Sequence, residues 1–96
     1  MEHWEPLETI GESGSEGGVI LRDEASENCR ITLEQCPDYF AVPCGIAGSF
    51  VHTAFCGPAD HDAVYNSMKQ EISAFCERDT SPEEAAAFYR QFAEQY

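Results

Sequence analysis

Basic residues are scarce in this chain: 5 Lys and Arg stand against 18 Asp and Glu, for a net charge of −13. A field of that sign repels phosphate backbones and anionic lipid surfaces, which argues against direct nucleic-acid binding and membrane docking. It attracts a basic partner instead, at a rate that falls as salt rises. Long apolar runs are also missing, and none approaches the ~20 residues a membrane-spanning helix needs. The opening Met1-Glu2-His3-Trp4-Glu5-Pro6 has neither the basic stretch nor the apolar stretch of a signal peptide. The five cysteines, at 29, 36, 44, 56 and 76, include no C-x-x-C or other zinc-type spacing. Their odd number leaves at least one without a partner in the chain. Most fall on expected strands or on a helix's apolar side, where a thiol acts as a small hydrophobe, so the expectation is a cytoplasmic protein with reduced, buried thiols. Gly45-Ile46-Ala47-Gly48 lacks a neighbouring Lys or Arg and precedes a strand, so it reads as a hairpin turn and not as a phosphate cradle.

What is present fits one domain. Ninety-six residues with 43% hydrophobic content resist disorder, and a chain of this size buries roughly 60–65% of its unfolded surface. Residues 1–18 form an acidic arm, carrying Glu2, Glu5, Glu8, Glu12 and Glu16 and no Lys or Arg. Within it Trp4, Leu7 and Ile10 recur at helical spacing, and Gly11 to Gly18 reads as a partly flexible Gly/Ser/Glu linker. Residues 19–96 form the α+β domain: a three- to four-stranded antiparallel β-meander followed by two C-terminal α-helices packed on the sheet. A short first strand is expected over Val19–Arg22. Cys29–Gln35 alternates apolar and polar residues, as a half-buried strand does. A Pro37-Asp38 turn sets Leu33 against Val42 and Gln35 against Phe40, and the Gly45–Gly48 loop sets Val42 against Val51 and Phe40 against Thr53. Those registers gather Ile31, Leu33, Phe40, Val42, Val51 and Phe55 on the core face. The other face receives Arg30, Thr32, Glu34, Tyr39, Ala41, Pro43, Phe50, His52 and Ala54, joined by Val19 or Leu21. A helix is expected from about Asp60 to Arg78, with a stripe of Val64, Tyr65, Met68, Ile72, Phe75 and Cys76. Ser81-Pro82-Glu83-Glu84 is a helix start with a Ser cap, Pro at the first helical position and Glu at the third.

Function is less legible than shape. The half-apolar second face needs a cover: the second helix, the Trp4 arm or another chain. A sizeable apolar patch left open usually marks a partner surface. The expected function is therefore non-catalytic: a small acidic protein–protein interaction or regulatory module, with an inhibitor or immunity-type protein of a basic enzyme as the analogy in size and charge. Tyr39, Phe50 and His52 are the candidate contact residues, with Trp4 as a second candidate because exposed tryptophan is enriched at interface hot spots. A homodimer is another arrangement this face allows. The competing reading is a metal- or thiol-dependent site at His52, Cys56 and His61, since a transition metal needs three or four such donors converging. His61 between Asp60 and Asp62 is, however, also an ordinary helix start. Cys44 with His52 as its base would need both on one sheet face, and the expected registers separate them. No cofactor and no enzymatic activity are expected. The carboxylates are scattered, which favours a solvated surface over mimicry of nucleic acid.

Overall fold

The computed structural model describes residues 3–96. Five strands, β1 (Glu5–Pro6), β2 (Val19–Ala25), β3 (Arg30–Gln35), β4 (Phe40–Ile46) and β5 (Phe50–Cys56), precede α1 (His61–Cys76) and α2 (Pro82–Gln95). The strands form one antiparallel sheet in the order β1-β2-β3-β4-β5, a meander with one strand more than the sequence suggests. The extra strand is β1, two residues long and pairing Glu5 with Ala25 and Pro6 with Glu24. β2 also runs past the expected Arg22. A register shift between Ile20 and Arg22 marks a bulge, and the acidic residues beyond it are held by cations: Asp23 by Arg30 and Glu24 by Lys69.

The β3–β4 register is as the sequence predicts, with Gln35 opposite Phe40 and Ile31 opposite Cys44. The β4–β5 register is not. Phe40 pairs with Cys56 and Val42 with Ala54, three positions from the expected partners. An odd offset exchanges the two faces of a strand. The turn lies at Ala47 and Gly48, both with positive φ (55° and 70°), and the Ser49 amide donates to the Ile46 carbonyl at 3.2 Å. Gly45 and Ile46 thereby extend β4, and Ile46 is fully buried. Core formation explains this placement: a turn starting at Gly45 would pull an isoleucine out of the interior.

The inverted register corrects the face assignment. Phe50, His52 and Ala54 turn toward the helices, while Val51 and Phe55 are 80% and 60% exposed on the outer face. The core lies between sheet and helices, built from Ile31, Leu33, Val42 and Ile46 on the strands and Tyr65, Met68, Ile72, Phe75 and Phe92 on the helices. α1 lies over β3 and β4. α2 begins with the expected capping box, the Ser81 hydroxyl accepting from the Glu84 amide and the Glu84 carboxylate from the Ser81 amide, each at 3.1 Å. It closes the β5 end of the core, where Phe50 stacks on Tyr89 with ring centroids 4.6 Å apart.

Residues 3–18 wrap the β2 side of the sheet. Trp4 reaches the helix layer and donates its Nε1 hydrogen to Ser73 Oγ of α1 at 2.7 Å. Beyond β1 the chain crosses to the outer face, tied by bonds from the Leu7 amide to the Asp23 carbonyl and from the Gly11 amide to the Ile20 carbonyl. Trp4, Leu7 and Ile10 therefore share no helix: Trp4 docks, Leu7 is half-buried, and Ile10 is exposed.

Candidate functional site

The sheet's outer face is covered on one side only. The arm lies across β2 and β3, leaving a groove of about 810 Å³ between it and the outer faces of β4 and β5. Thr9, Glu12, Ser13 and Ser15 form one wall, and Thr32, Pro43, Val51 and Thr53 line the rest.

Two buried carboxylates fix the arm beside this groove. Asp23 points outward from β2 and accepts from Arg30 Nε at 3.0 Å, Arg30 Nη2 at 2.5 Å, Thr32 Oγ1 at 3.0 Å and Thr9 Oγ1 at 2.6 Å. Burial alone would raise the Asp23 pKa. The hydrogen bonds from Arg30, Thr9 and Thr32, with the Arg30 charge, outweigh burial and hold the carboxyl below its ordinary value. Glu34 is fully buried, and its carboxylate is wrapped by the turn above it. The amides of Glu16 and Gly18 donate to Oε1 at 3.1 and 3.2 Å, and the Ser15 hydroxyl donates to Oε2 at 3.3 Å. Gly14 is required here because a Cβ at that position would overlap the Glu34 carboxyl group. A Cβ on Gly18 would fall 2.7 Å from both Cys36 Sγ and the Gln35 carbonyl oxygen.

Toward β5 the outer face is open. Tyr39 and Phe55 meet edge to face with centroids 5.6 Å apart, and Val51 stands nearby on the same strand. Among the described residues nothing pairs with the far edge of β5. Charge is distributed sharply: the stretch Tyr39–Ala59, which builds β4 and β5, contains no Asp, Glu, Lys or Arg, although the chain carries 23 such residues (5 + 18).

The sequence-predicted site residues separate. Tyr39 lies on this open face. Phe50 and His52 lie under α2, with His52 at 6.1 Å and Phe50 at 6.4 Å from the Phe92 ring. Trp4 is docked on α1. His52, Cys56 and His61 do not converge: His61 stacks on the Phe40 ring at 4.0 Å, and Cys56 Sγ contacts the Phe40 carbonyl oxygen at 3.8 Å. Among the described residues no group of three or more His, Cys, Asp or Glu side chains is placed to hold a metal ion. Cys44 and His52, expected on opposite faces, are direct cross-strand partners. Burial pushes the Cys44 thiol up to about 12, so the pair supplies no thiolate near neutral pH. Sequence reasoning missed Val51 and Phe55 as surface residues and Glu34 as an anchor. The uncharged stretch from Tyr39 to Ala59 was the available signal for the first two.

No family model matches the chain, and neither a curated protein nor a solved structure is similar to it. Among the described residues no helix is long and apolar enough to cross a membrane.

Proposed function

We propose that the protein is a non-catalytic binding module of the cytoplasm that receives an extended segment of a basic partner protein along β5. The observation that carries this reading is the exposure of Val51 and Phe55 on an uncharged edge strand whose far side pairs with nothing among the described residues. An unpaired edge offers a row of backbone donors and acceptors to an incoming strand, and pockets for alternate side chains give selectivity. Natural edges are usually blunted by lysine, proline or brevity. β1 is blunted in two of these ways, being two residues long and ending in Pro6, whereas β5 has seven residues and neither lysine nor proline.

Charge selects the partner. An uncharged contact strip loses no ionic hydration when covered, while Glu12 on the groove wall and exposed Asp38 and Asp60 near the strand ends meet basic residues flanking the docked segment. A second copy would instead bring −13 against −13. The test is capture from source-cell lysate at low and high salt, comparing the wild type with Phe55→Asp, alongside sedimentation of the protein alone. A basic protein retained at low salt, weakened at high salt and lost with Phe55→Asp supports the proposal. Retention indifferent to salt and to Phe55→Asp overturns it, as does self-association through this face with nothing else retained.

A further inference from the structure

Cys29, just before β3, and Cys76, the last residue of α1, bring their Sγ atoms to 3.1 Å across the core boundary. A disulfide bond needs about 2.05 Å, so the sulfurs have only about 1 Å to close. Among the described residues no disulfide is present. The two thiols differ in access. Cys29 is buried, at 5% exposure, while Cys76 is half-buried and lines a second cavity, of about 280 Å³, together with Glu27, Asn28, Phe75, Arg78 and Thr80. The Arg78 guanidinium sits 5.6 Å from the Phe75 ring centroid, placing a cation on the wall of the same cavity.

We propose that Cys76 and Cys29 form a thiol-oxidation site that exchanges with a low-molecular-weight disulfide. In the first step the Cys76 thiolate attacks one sulfur of RS–SR, forming Cys76–S–SR and releasing RS⁻. In the second the Cys29 thiolate attacks the Cys76 sulfur, forming the Cys29–Cys76 disulfide and expelling the other RS⁻. The protein is oxidised by two electrons, the small disulfide is reduced to two thiols, and the protons of the two cysteines pass to the released thiolates. The remaining cysteines are poorer candidates. Cys36 and Cys44 are buried, and burial raises the thiols of Cys44 and Cys56 above their ordinary value. The new bond would span 47 residues (76 − 29), joining the end of the first helix to the start of the third strand. Closing so long a loop restricts the unfolded chain strongly.

The test is incubation of the folded, reduced protein with glutathione disulfide, followed by intact-mass and peptide mapping. The expected wild-type product has lost two hydrogens, carries a single Cys29–Cys76 cross-link and melts on the order of 10 °C higher until a thiol reductant reverses it. Cys29→Ser should accumulate one glutathione adduct on Cys76, because the resolving thiol is gone. Cys76→Ser should remain unmodified at Cys29 over the same period. A cross-link through other cysteines overturns the proposal, as does cross-linking only in denaturant, or a Cys29→Ser protein that gains no adduct on Cys76.

Discussion

Replacing Glu34 by leucine removes a buried acceptor while leaving its donors in place. In the native structure two backbone amides and one hydroxyl converge on that carboxylate, from Glu16, Gly18 and Ser15. The Gly18 amide is buried, so without Glu34 it has no route to water, and stranding such a group costs about 1–3 kcal/mol. Glu16 is exposed and its amide can turn to solvent, so its loss is nearer the net value of one hydrogen bond, about 1 kcal/mol. The expected total is about 2–4 kcal/mol, which lowers the melting temperature of a domain this size by roughly 10–25 °C. Hydrogen exchange separates a local from a global effect. The amides of Gly11 and Gly14, bonded to β2 and within the arm, and that of Gly18, which loses its acceptor, should lose protection first, while α1 stays protected relative to its own global limit. A loss below about 1 kcal/mol, with arm amides still protected, would refute the assignment of Glu34 as the anchor of the arm.

Two further outcomes follow from the register and the ion pairs. Phe50→Asp places a charge beneath α2 against Tyr89 and should cost about 3 kcal/mol or more in urea unfolding, whereas Phe55→Asp on the open face should change stability by about 1 kcal/mol or less; the reverse order of costs would mean that β5 has the other face inward. Asp23 and Glu24 both hold their protons less tightly when folded than their ordinary values of 3.8 and 4.5, because Arg30 and Lys69 respectively, with neighbouring hydroxyls, outweigh the opposing effect of burial. Their contribution is therefore present in full above those values and is lost as pH falls through them and below. The stability difference between wild type and Asp23→Asn should be constant from pH 7 to about pH 5 and shrink below about pH 4; a difference that grows on acidification would reverse the sign of the argument.

The parts of the fold that the sequence disclosed are those decided locally. Alternation from Cys29 to Gln35 and a turn fixed by Pro37 were enough to set β3 against β4 in the correct register. The Ser81 capping box was equally legible because cap, proline and glutamate interact within one turn. The β4–β5 register was not legible, since Gly45 and Gly48 offer competing turn sites and only the burial of Ile46 chooses between them. That choice moved Val51 and Phe55 outward and Phe50 and His52 inward, so the candidate surface kept Tyr39 and changed its other members. Glu34 shows a second limit. In an alternating strand a glutamate reads as solvent-facing, and its burial depends on a turn at residues 14–18, remote in the chain, whose Gly14 and Gly18 admit the close approach. β1 is too short, and too compromised by Pro6, to carry any strand signal of its own.

The unequal ends of the sheet bear on stoichiometry. Because β1 closes one end with a proline-bearing stub, whatever strand adds to β5 meets a sheet that cannot grow in the opposite direction. A sheet open at both ends can stack copy upon copy into a fibre, since each addition presents a new sticky edge. Here β1 denies copies of the chain that second edge: two copies joined edge to edge at β5 would form a closed pair with a β1 stub at either end. The exposed apolar edge is thus compatible with a protein that stays dispersed, because occupancy at one end exhausts its capacity to recruit.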